Sequence, residues 1–120
     1  MARTNVLLVD DEKEFVDTLA ERISLRMLNP LVAYSGQEAL EMMKQIIPDV
    51  IVLDLKMPGM DGSEVLNRIR ESHPEVNVII LTGHGDENDR LTMEKMGAVG
   101  YLQKPIDIEI LLETINRVKN

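Results

Sequence analysis

Acidic residues close two of the apolar runs in this chain, and they are the first candidates for chemistry. Asp10 and Asp11 follow the run VLLV, and Asp54 follows VIVL. Such runs are typical of strands buried on both faces. An ionised carboxylate at a buried strand end is costly unless it is paired, hydrogen-bonded or bound to a metal. Two further polar residues, Thr82 and Lys104, also follow predicted strands.

These residue types together favour metal-assisted phosphoryl chemistry. Three converging carboxylates stay ionised only when a cation joins them. Without histidine or cysteine in the group, oxygen ligands favour Mg²⁺, with Mn²⁺ as the alternative. A metal, the Lys104 ammonium and the Thr82 hydroxyl are the groups that a phosphoryl oxyanion needs. A carboxylate among them can act as the nucleophile and form an acyl phosphate, which is the role we predict for Asp54.

Five alternating strand and helix patterns must position these groups. They predict an α/β, doubly wound parallel sheet, (βα)5, with helices on both faces. Ligands of such sheets bind beyond the carboxyl ends of the strands, near the point where strand order reverses. The aspartates, Thr82 and Lys104 all fall at that edge. If the first and third strands are neighbours, the three aspartates converge.

Several element boundaries follow from periodicity and from capping residues. Apolar residues at every fourth position predict a first helix that continues to Met27 and stops at Asn29-Pro30, followed by a strand over 31–35. The second helix is predicted to bury Ile46 and Ile47 and to end at Pro48. N-caps are expected at three positions, with a capping box at the first of them: Ser35, Asp61 and Asp86.

Length and composition limit the class of protein. The 120 residues suit a single domain over 1–120. A net charge of −8 argues against direct contact with nucleic acid or an anionic membrane. The sequence has no cysteine, which excludes a disulfide framework and thiol catalysis. It has no apolar run of membrane-spanning length, and we expect a cytoplasmic protein.

Five motifs in order carry a resemblance to a known family. They are LLVDDE, DVIVLDLKMPGMDG, VIILTGHGD, GAVGYLQKP and the closing amphipathic helix. Along its whole length the chain resembles the receiver domain of two-component response regulators. The resemblance implies a flavodoxin-like strand order, 2-1-3-4-5, as in chemotaxis regulators. It also implies a phosphoacceptor signalling domain that promotes its own phosphorylation and dephosphorylation, rather than a turnover enzyme.

The resemblance also implies roles for the residues at the phosphorylation site. Asp54 matches the phosphoacceptor, which takes its phosphoryl group from a histidine of a sensor kinase or of a histidine phosphotransfer protein. Asp10 and Asp11 match the acidic pair that holds magnesium. Lys56 matches the position whose backbone carbonyl binds the metal. Thr82 matches the mobile hydroxyl, and Gly83 matches the small residue that leaves the phosphoryl site open. Lys104 matches the phosphoryl-binding lysine.

Further positions match parts of the signalling switch. Tyr101 matches the aromatic residue that turns inward when the threonine moves. Lys56 and His84 match positions that tune the phosphoryl lifetime, and Lys104-Pro105 matches a bond that is usually cis. The surface of the fourth helix, fifth strand and fifth helix would then control an output domain or effector protein. Homodimerisation on phosphorylation is left open.

Other functions remain to be weighed. The chain could be a phosphorelay intermediate or a stand-alone docking receiver, and a metal-independent docking module would not bind magnesium. A phosphatase of similar fold often has a second acid two residues after its nucleophile, where this chain has Lys56. A flavin carrier would need a phosphate-cradling loop after the first strand, where this chain has DDEKE.

Overall fold

The computed structural model describes residues 3–119 and contains a five-stranded parallel sheet in the order β2-β1-β3-β4-β5. This is the doubly wound fold and strand order that the sequence predicts. The elements, in chain order, are β1 Thr4–Val9, α1 Lys13–Ser24, β2 Leu28–Ala33, α2 Gly36–Met42, β3 Val50–Leu53, α3 Gly62–Ser72, β4 Asn77–Thr82, α4 Glu87–Lys95, β5 Gly100–Gln103 and α5 Ile108–Val118.

Two apolar cores lie on opposite faces of the sheet. Helices α1 and α5 pack on one face, and α2, α3 and α4 pack on the other. All four residues of β3 are buried because this strand is covered on both faces. Strand β3 lies between β1 and β4, so its C-terminal end opens at the middle of one sheet edge.

The predicted N-caps are confirmed. The side chains of Ser35, Asp61 and Asp86 each accept a hydrogen bond from the backbone N–H three residues further on. A reciprocal bond completes the capping box at Asp86. The box at Ser35 is half formed, since the Glu38 carboxylate accepts from the Tyr34 N–H instead.

The boundary predicted between α1 and β2 is wrong. Helix α1 ends at Ser24, and Met27 is 69% exposed with a φ of 66°. Pro30 does not stop a helix, because it lies within β2 opposite Val6 of β1. Since β2 is an edge strand, a proline without an N–H is tolerated there. Pairing with β1 therefore decided the conformation of a segment for which periodicity favoured a helix.

The predicted end of α2 is also wrong. This helix stops at Met42, and Ile46 and Ile47 are 46% and 53% exposed. Tight turns follow directly, with the Gln45 N–H bonded to the Met42 carbonyl. These turns bring the chain back to begin β3 beside β1, so the apolar stripe does not continue as helix. Among residues 3–119, the model has no helix of sufficient length and apolar character to cross a bilayer.

Candidate functional site

The carboxyl ends of β1 and β3 bring two aspartates together. Asp10 directly follows β1, and Asp54 directly follows β3. The two strands pair in register up to Val9 and Leu53, and the Asp54 N–H donates to the Val9 carbonyl at 3.0 Å. The aspartates are only 4% and 3% exposed, respectively. Two carboxylates distant in sequence are therefore buried at one edge of the sheet.

Lys104 reaches this pair from the far side of the site. Its backbone N–H donates to the Thr82 carbonyl at 2.9 Å, which extends the pairing of β5 with β4. Its Nζ lies 2.8 Å from Asp10 Oδ2 and 3.8 Å from Asp54 Oδ2. The peptide bond from Lys104 to Pro105 is cis. The ammonium is thus a counter-charge that forms a close ion pair with Asp10 and a longer one with Asp54.

Two residues that the sequence analysis did not select also surround this ammonium. Glu12 Oε1 accepts a hydrogen bond from Lys104 Nζ at 2.5 Å, and the Phe15 ring centroid lies 4.4 Å from the same nitrogen. A cation over an aromatic face is attracted by the ring quadrupole. Phe15 also fits the apolar periodicity of α1, and that periodicity gives no sign of this second contact.

The acidic group contains Glu12 where the sequence led us to expect Asp11. Carboxylate oxygens of Asp10, Glu12 and Asp54 all lie within 4.8 Å of one another. Asp11 is exposed and is not in this group. The Glu12 N–H donates to Asp10 Oδ1 at 2.9 Å. Aspartate side chains often accept from the backbone N–H two residues further along the chain, which forms a local turn. The two-residue spacing from Asp10 could therefore have indicated that Glu12 turns toward the site. A metal-binding role for Asp11 stays a prediction.

Burial and mutual repulsion govern the charges of the pair. Burial, followed by the charge of Asp10, raises the pKa of Asp54, and burial raises the pKa of Asp10. Burial opposes protonation of Lys104, but its hydrogen bonds to Asp10 and Glu12 still raise its pKa. The same bond to Lys104 lowers the pKa of Glu12. Negative charge is thus concentrated where water is largely excluded.

One oxygen of Asp54 has a bonding position that a cation or an electrophile would fill. In the part of the chain that the structure describes, Asp54 Oδ1 is buried and has no hydrogen-bond partner. Buried polar atoms are almost always paired, so an exception of this kind requires an explanation. A divalent cation bound by oxygen ligands would satisfy Asp54 together with Asp10 and Glu12. The residues present therefore fit a hard metal ion.

The remaining predicted residues surround the end of β3 and β4. Thr82 is fully buried, and its Oγ1 accepts a hydrogen bond from the His84 N–H at 3.2 Å. Gly83, His84 and Lys56 are exposed on the loops beside the acidic group. Their proposed roles in phosphoryl binding, lifetime and metal ligation stay predictions.

Gly62, at the start of α3, is a further residue that the sequence analysis did not select. A Cβ on Gly62 would lie 2.4 Å from the Asp54 carbonyl oxygen and 2.7 Å from Leu55 Cα. The first turn of α3 therefore packs directly against the backbone that carries Asp54. The sequence contains a glycine beside the N-cap Asp61, but a close approach of two backbones cannot be read from it.

The fold and this acidic site together are those of a signalling domain of two-component systems. Residues 6–116 match the family described as response regulator receiver domain. The chain belongs to that family, which confirms the resemblance seen in the sequence.

Individual relatives and solved structures agree with this assignment. The DNA-binding transcriptional regulator NtrC of Escherichia coli K12 is 35% identical over 98% of this chain and 25% of its own length. The transcriptional regulatory protein CpxR of the same strain is 35% identical over 94% of this chain and 48% of its own length. The chain thus spans about a quarter to a half of these relatives.

Solved receiver structures superpose along nearly the whole chain. A response regulator receiver domain protein from Clostridium thermocellum has a TM-score of 0.91 at 32% identity, covering 96% of this chain and 93% of its own. The receiver domain of the Francisella response regulator 1452 has a TM-score of 0.90 at 30% identity, with coverage of 97% and 96%. Vibrio cholerae chemotaxis protein CheY4 has a TM-score of 0.91 at 29% identity, covering 98% and 99%.

Proposed function

We propose that this chain is a phosphorylation-operated switch in which Asp54 is the phosphoacceptor. The observation that carries the proposal is the buried Asp54 Oδ1, which lies beside Asp10 and the Lys104 ammonium and has no hydrogen-bond partner among residues 3–119. A carboxylate held rigidly at a strand end, with one oxygen free, is arranged for attack rather than for structural pairing. Membership of the receiver family supports the same role.

The proposed reaction transfers a phosphoryl group from a phosphohistidine. Asp54 Oδ1 attacks phosphorus, an O–P bond forms and the N–P bond to the donor imidazole breaks. The imidazole nitrogen leaves with the bonding pair and takes up a proton. Lys104 then moves from Asp10 toward the new phosphoryl oxygens, and Thr82 supplies a hydroxyl donor. Gly83, which has no side chain beside Lys104, would leave the approach to Asp54 open, as the resemblance to the family implies.

Magnesium is the metal that we propose for this site. Asp10, Glu12 and Asp54, with the backbone carbonyl of Lys56, would hold it, and Asp11 stays a candidate ligand. When bound, Mg²⁺ offsets the negative charge of the carboxylates and of the transferred phosphoryl group. Mn²⁺ has similar ligand preferences and is the alternative.

The signalling consequences are proposals of the same rank. Movement of Thr82 toward the phosphoryl group would be coupled to Tyr101 and would change the surface of α4, β5 and α5. We infer that a sensor histidine kinase or histidine phosphotransfer protein is the donor, and that an output domain or effector reads the changed surface. We propose residues 1–120 as one receiver domain, acting in the cytoplasm.

Intact-mass measurement after incubation with acetyl phosphate tests the phosphoacceptor directly. The native chain should gain one phosphoryl adduct in Mg²⁺ and none in EDTA, and Asp54→Asn should gain none. Asp49→Asn is the matched control, because Asp49 is exposed at the opposite end of the same strand region. An adduct that persists in Asp54→Asn would refute the assignment of Asp54. No adduct on the native chain would favour a receiver that works by docking alone.

A further inference from the structure

Tyr101 occupies an unusual position between the sheet and the β4–α4 loop. Its ring is half-buried and packs against the core on the α2–α3–α4 face. Its hydroxyl is buried and, within residues 3–119, has no hydrogen-bond partner. Burial accordingly raises its pKa, assisted by the nearby acids Asp89, Asp86 and Glu87. Because an unpaired buried hydroxyl has a free-energy cost, packing alone holds the ring in this inward position.

Gly85 leaves the space that this hydroxyl fills. A Cβ built on Gly85 would lie 1.4 Å from Tyr101 Oη and 2.8 Å from Cζ. It would also lie 3.1 Å from Cγ2 of Thr82. No real Cβ tolerates the first two distances, so alanine at position 85 and an inward Tyr101 exclude each other. The clash is with the far end of a side chain, which can leave by rotating about its χ1 bond.

The backbone does not explain the glycine at this position. The positive-φ glycines of the described chain are Gly59 and Gly97, and Gly85 is not among them. Gly85 therefore does not occupy the left-handed backbone region that favours glycine. The loop is also fixed from its other side, since Gln103 Nε2 donates to the Gly85 carbonyl at 3.0 Å. The space above Gly85 is thus the feature that requires glycine.

We propose that Gly85 is a positioning residue for the switch, because the absence of a side chain at position 85 is what admits Tyr101 to its inward position. Any larger residue there would drive the ring outward onto the surface of α4 and β5. The consequence for signalling rests on the phosphorylation switch proposed above. With alanine at position 85, Asp54 would still accept a phosphoryl group, but the aromatic ring could not take up its inward position either before or after phosphorylation.

Nuclear magnetic resonance of ring-labelled tyrosine tests the proposal without any phosphoryl donor. The chain has two tyrosines, so Tyr34 is an internal reference in the same spectrum. In the native protein the Tyr101 ring should be protected from relaxation by a soluble nitroxide. In Gly85→Ala that protection should be lost and the Tyr101 ring shifts should change, while the Tyr34 signals stay in place.

Gly83→Ala is the matched control in the same loop. A Cβ on Gly83 would meet Lys104 side-chain atoms at 3.8 and 3.9 Å, which is ordinary contact. Gly83→Ala should therefore leave the Tyr101 ring protected. A Tyr101 ring that stays protected in Gly85→Ala would overturn the proposal. So would an equal loss of protection in Gly83→Ala, because the effect would then belong to the loop in general.

A second variant keeps the test decisive if Gly85→Ala folds poorly. Replacing Tyr101 with leucine removes both atoms that a Cβ would meet within 3 Å. Gly85→Ala should then cost no stability in the Tyr101→Leu background, as measured by urea unfolding. An undiminished cost in that background would show that alanine disturbs the loop itself and would refute the proposed role.

The mass assay separates this proposal from the proposed function. Gly85→Ala should still gain one Mg²⁺-dependent adduct, since the three atoms nearest its Cβ belong to Tyr101 and to the methyl group of Thr82, and none belongs to Asp54 or Lys104. Loss of the adduct from the native chain would count against the phosphoacceptor and leave the ring measurement intact. An adduct on both chains, with no change in Tyr101 exposure, would count against Gly85 alone.

Discussion

Replacement of Asp54 by asparagine should stabilise the metal-free protein at neutral pH. The carboxylate lies within 4.8 Å of Asp10 and 3.8 Å from Lys104 Nζ. At an effective dielectric constant of about 20, these distances give at least about 3.5 kcal/mol of repulsion from Asp10 and roughly 4.4 kcal/mol of attraction to Lys104. Repulsion from Glu12, which belongs to the same carboxylate group, opposes the remaining attraction. Desolvation of the buried carboxylate, which amounts to several kcal/mol for a buried ion, therefore decides the sign.

We expect Asp54→Asn to gain about 2 kcal/mol in unfolding free energy, since asparagine keeps the shape and removes the buried charge. Urea unfolding followed by far-UV circular dichroism in EDTA at pH 7 measures it. Asp49→Asn is the control: Asp49 is exposed, and an asparagine carbonyl oxygen can still accept the Asn5 N–H that bonds to Asp49 Oδ2 at 2.8 Å, so stability should fall by no more than about 1 kcal/mol. A metal-free Asp54→Asn protein that is less stable than the native chain would refute this electrostatic reasoning.

The pH dependence gives an independent check of the same prediction. Because the pKa of Asp54 is raised in the folded state, the native chain binds more protons than the unfolded chain as pH falls from neutral. Asp54 therefore lowers the unfolding free energy of the native chain as pH rises from the ordinary carboxyl pKa toward the raised pKa of Asp54. The difference between Asp54→Asn and the native chain should shrink on acidification. Saturating Mg²⁺ should also erase it, because a ligand at 100 times its Kd adds about 2.7 kcal/mol to the protein that binds it.

The other predictions concern the residues around Asp54. Gly62→Ala should cost about 1–3 kcal/mol in urea unfolding, because its Cβ would overlap the Asp54 carbonyl oxygen and the backbone cannot move away cheaply. Lys104→Met should lower metal-free stability by about 3 kcal/mol, since it leaves buried carboxylates uncompensated, and should tighten Mg²⁺ binding. Glu12→Gln should weaken Mg²⁺ binding more than Asp11→Asn does, because Glu12 is in the carboxylate group. Calorimetry measures both affinities.

Each of these variants has its own control or an outcome that would contradict the expected effect. Gly83→Ala, whose Cβ would make only ordinary contacts with Lys104 at 3.8 and 3.9 Å, should stay within about 0.5 kcal/mol of the native chain when Gly62→Ala does not. Lys104→Met that binds Mg²⁺ more weakly would show that the ammonium does not compete with the metal for Asp10. A larger effect of Asp11→Asn than of Glu12→Gln would show that Asp11 is the metal ligand and would refute the role proposed for Glu12.

Local sequence patterns predicted most of the strands and several helix starts. Continuous apolar runs identified β3 and its neighbours, since strands covered on both faces leave no polar position. N-cap chemistry located the start of α3 at Asp61, because the cap bond spans three residues and needs no distant partner. The motifs identified the receiver family and, with it, the strand order.

Periodicity failed where a distant strand decided the local conformation. From residue type alone, Met27 fits the apolar periodicity of α1, and Pro30 fits the end of a helix. Pairing of Leu28–Ala33 with β1 settled the matter, and the sequence of that segment contains no record of its partner. Ile47 likewise fits an apolar stripe, yet the chain must turn there to begin β3.

The sequence by itself determined which residue types stand at the carboxyl ends of the strands, and therefore the chemistry open to the site. Only the tertiary structure decided which of them meet. It selected Glu12 rather than Asp11 for the carboxylate group through a turn around Asp10. It also placed the Tyr101 hydroxyl in the space above Gly85. Such contacts depend on distances between segments far apart in the chain, and local patterns of residue type do not encode those distances.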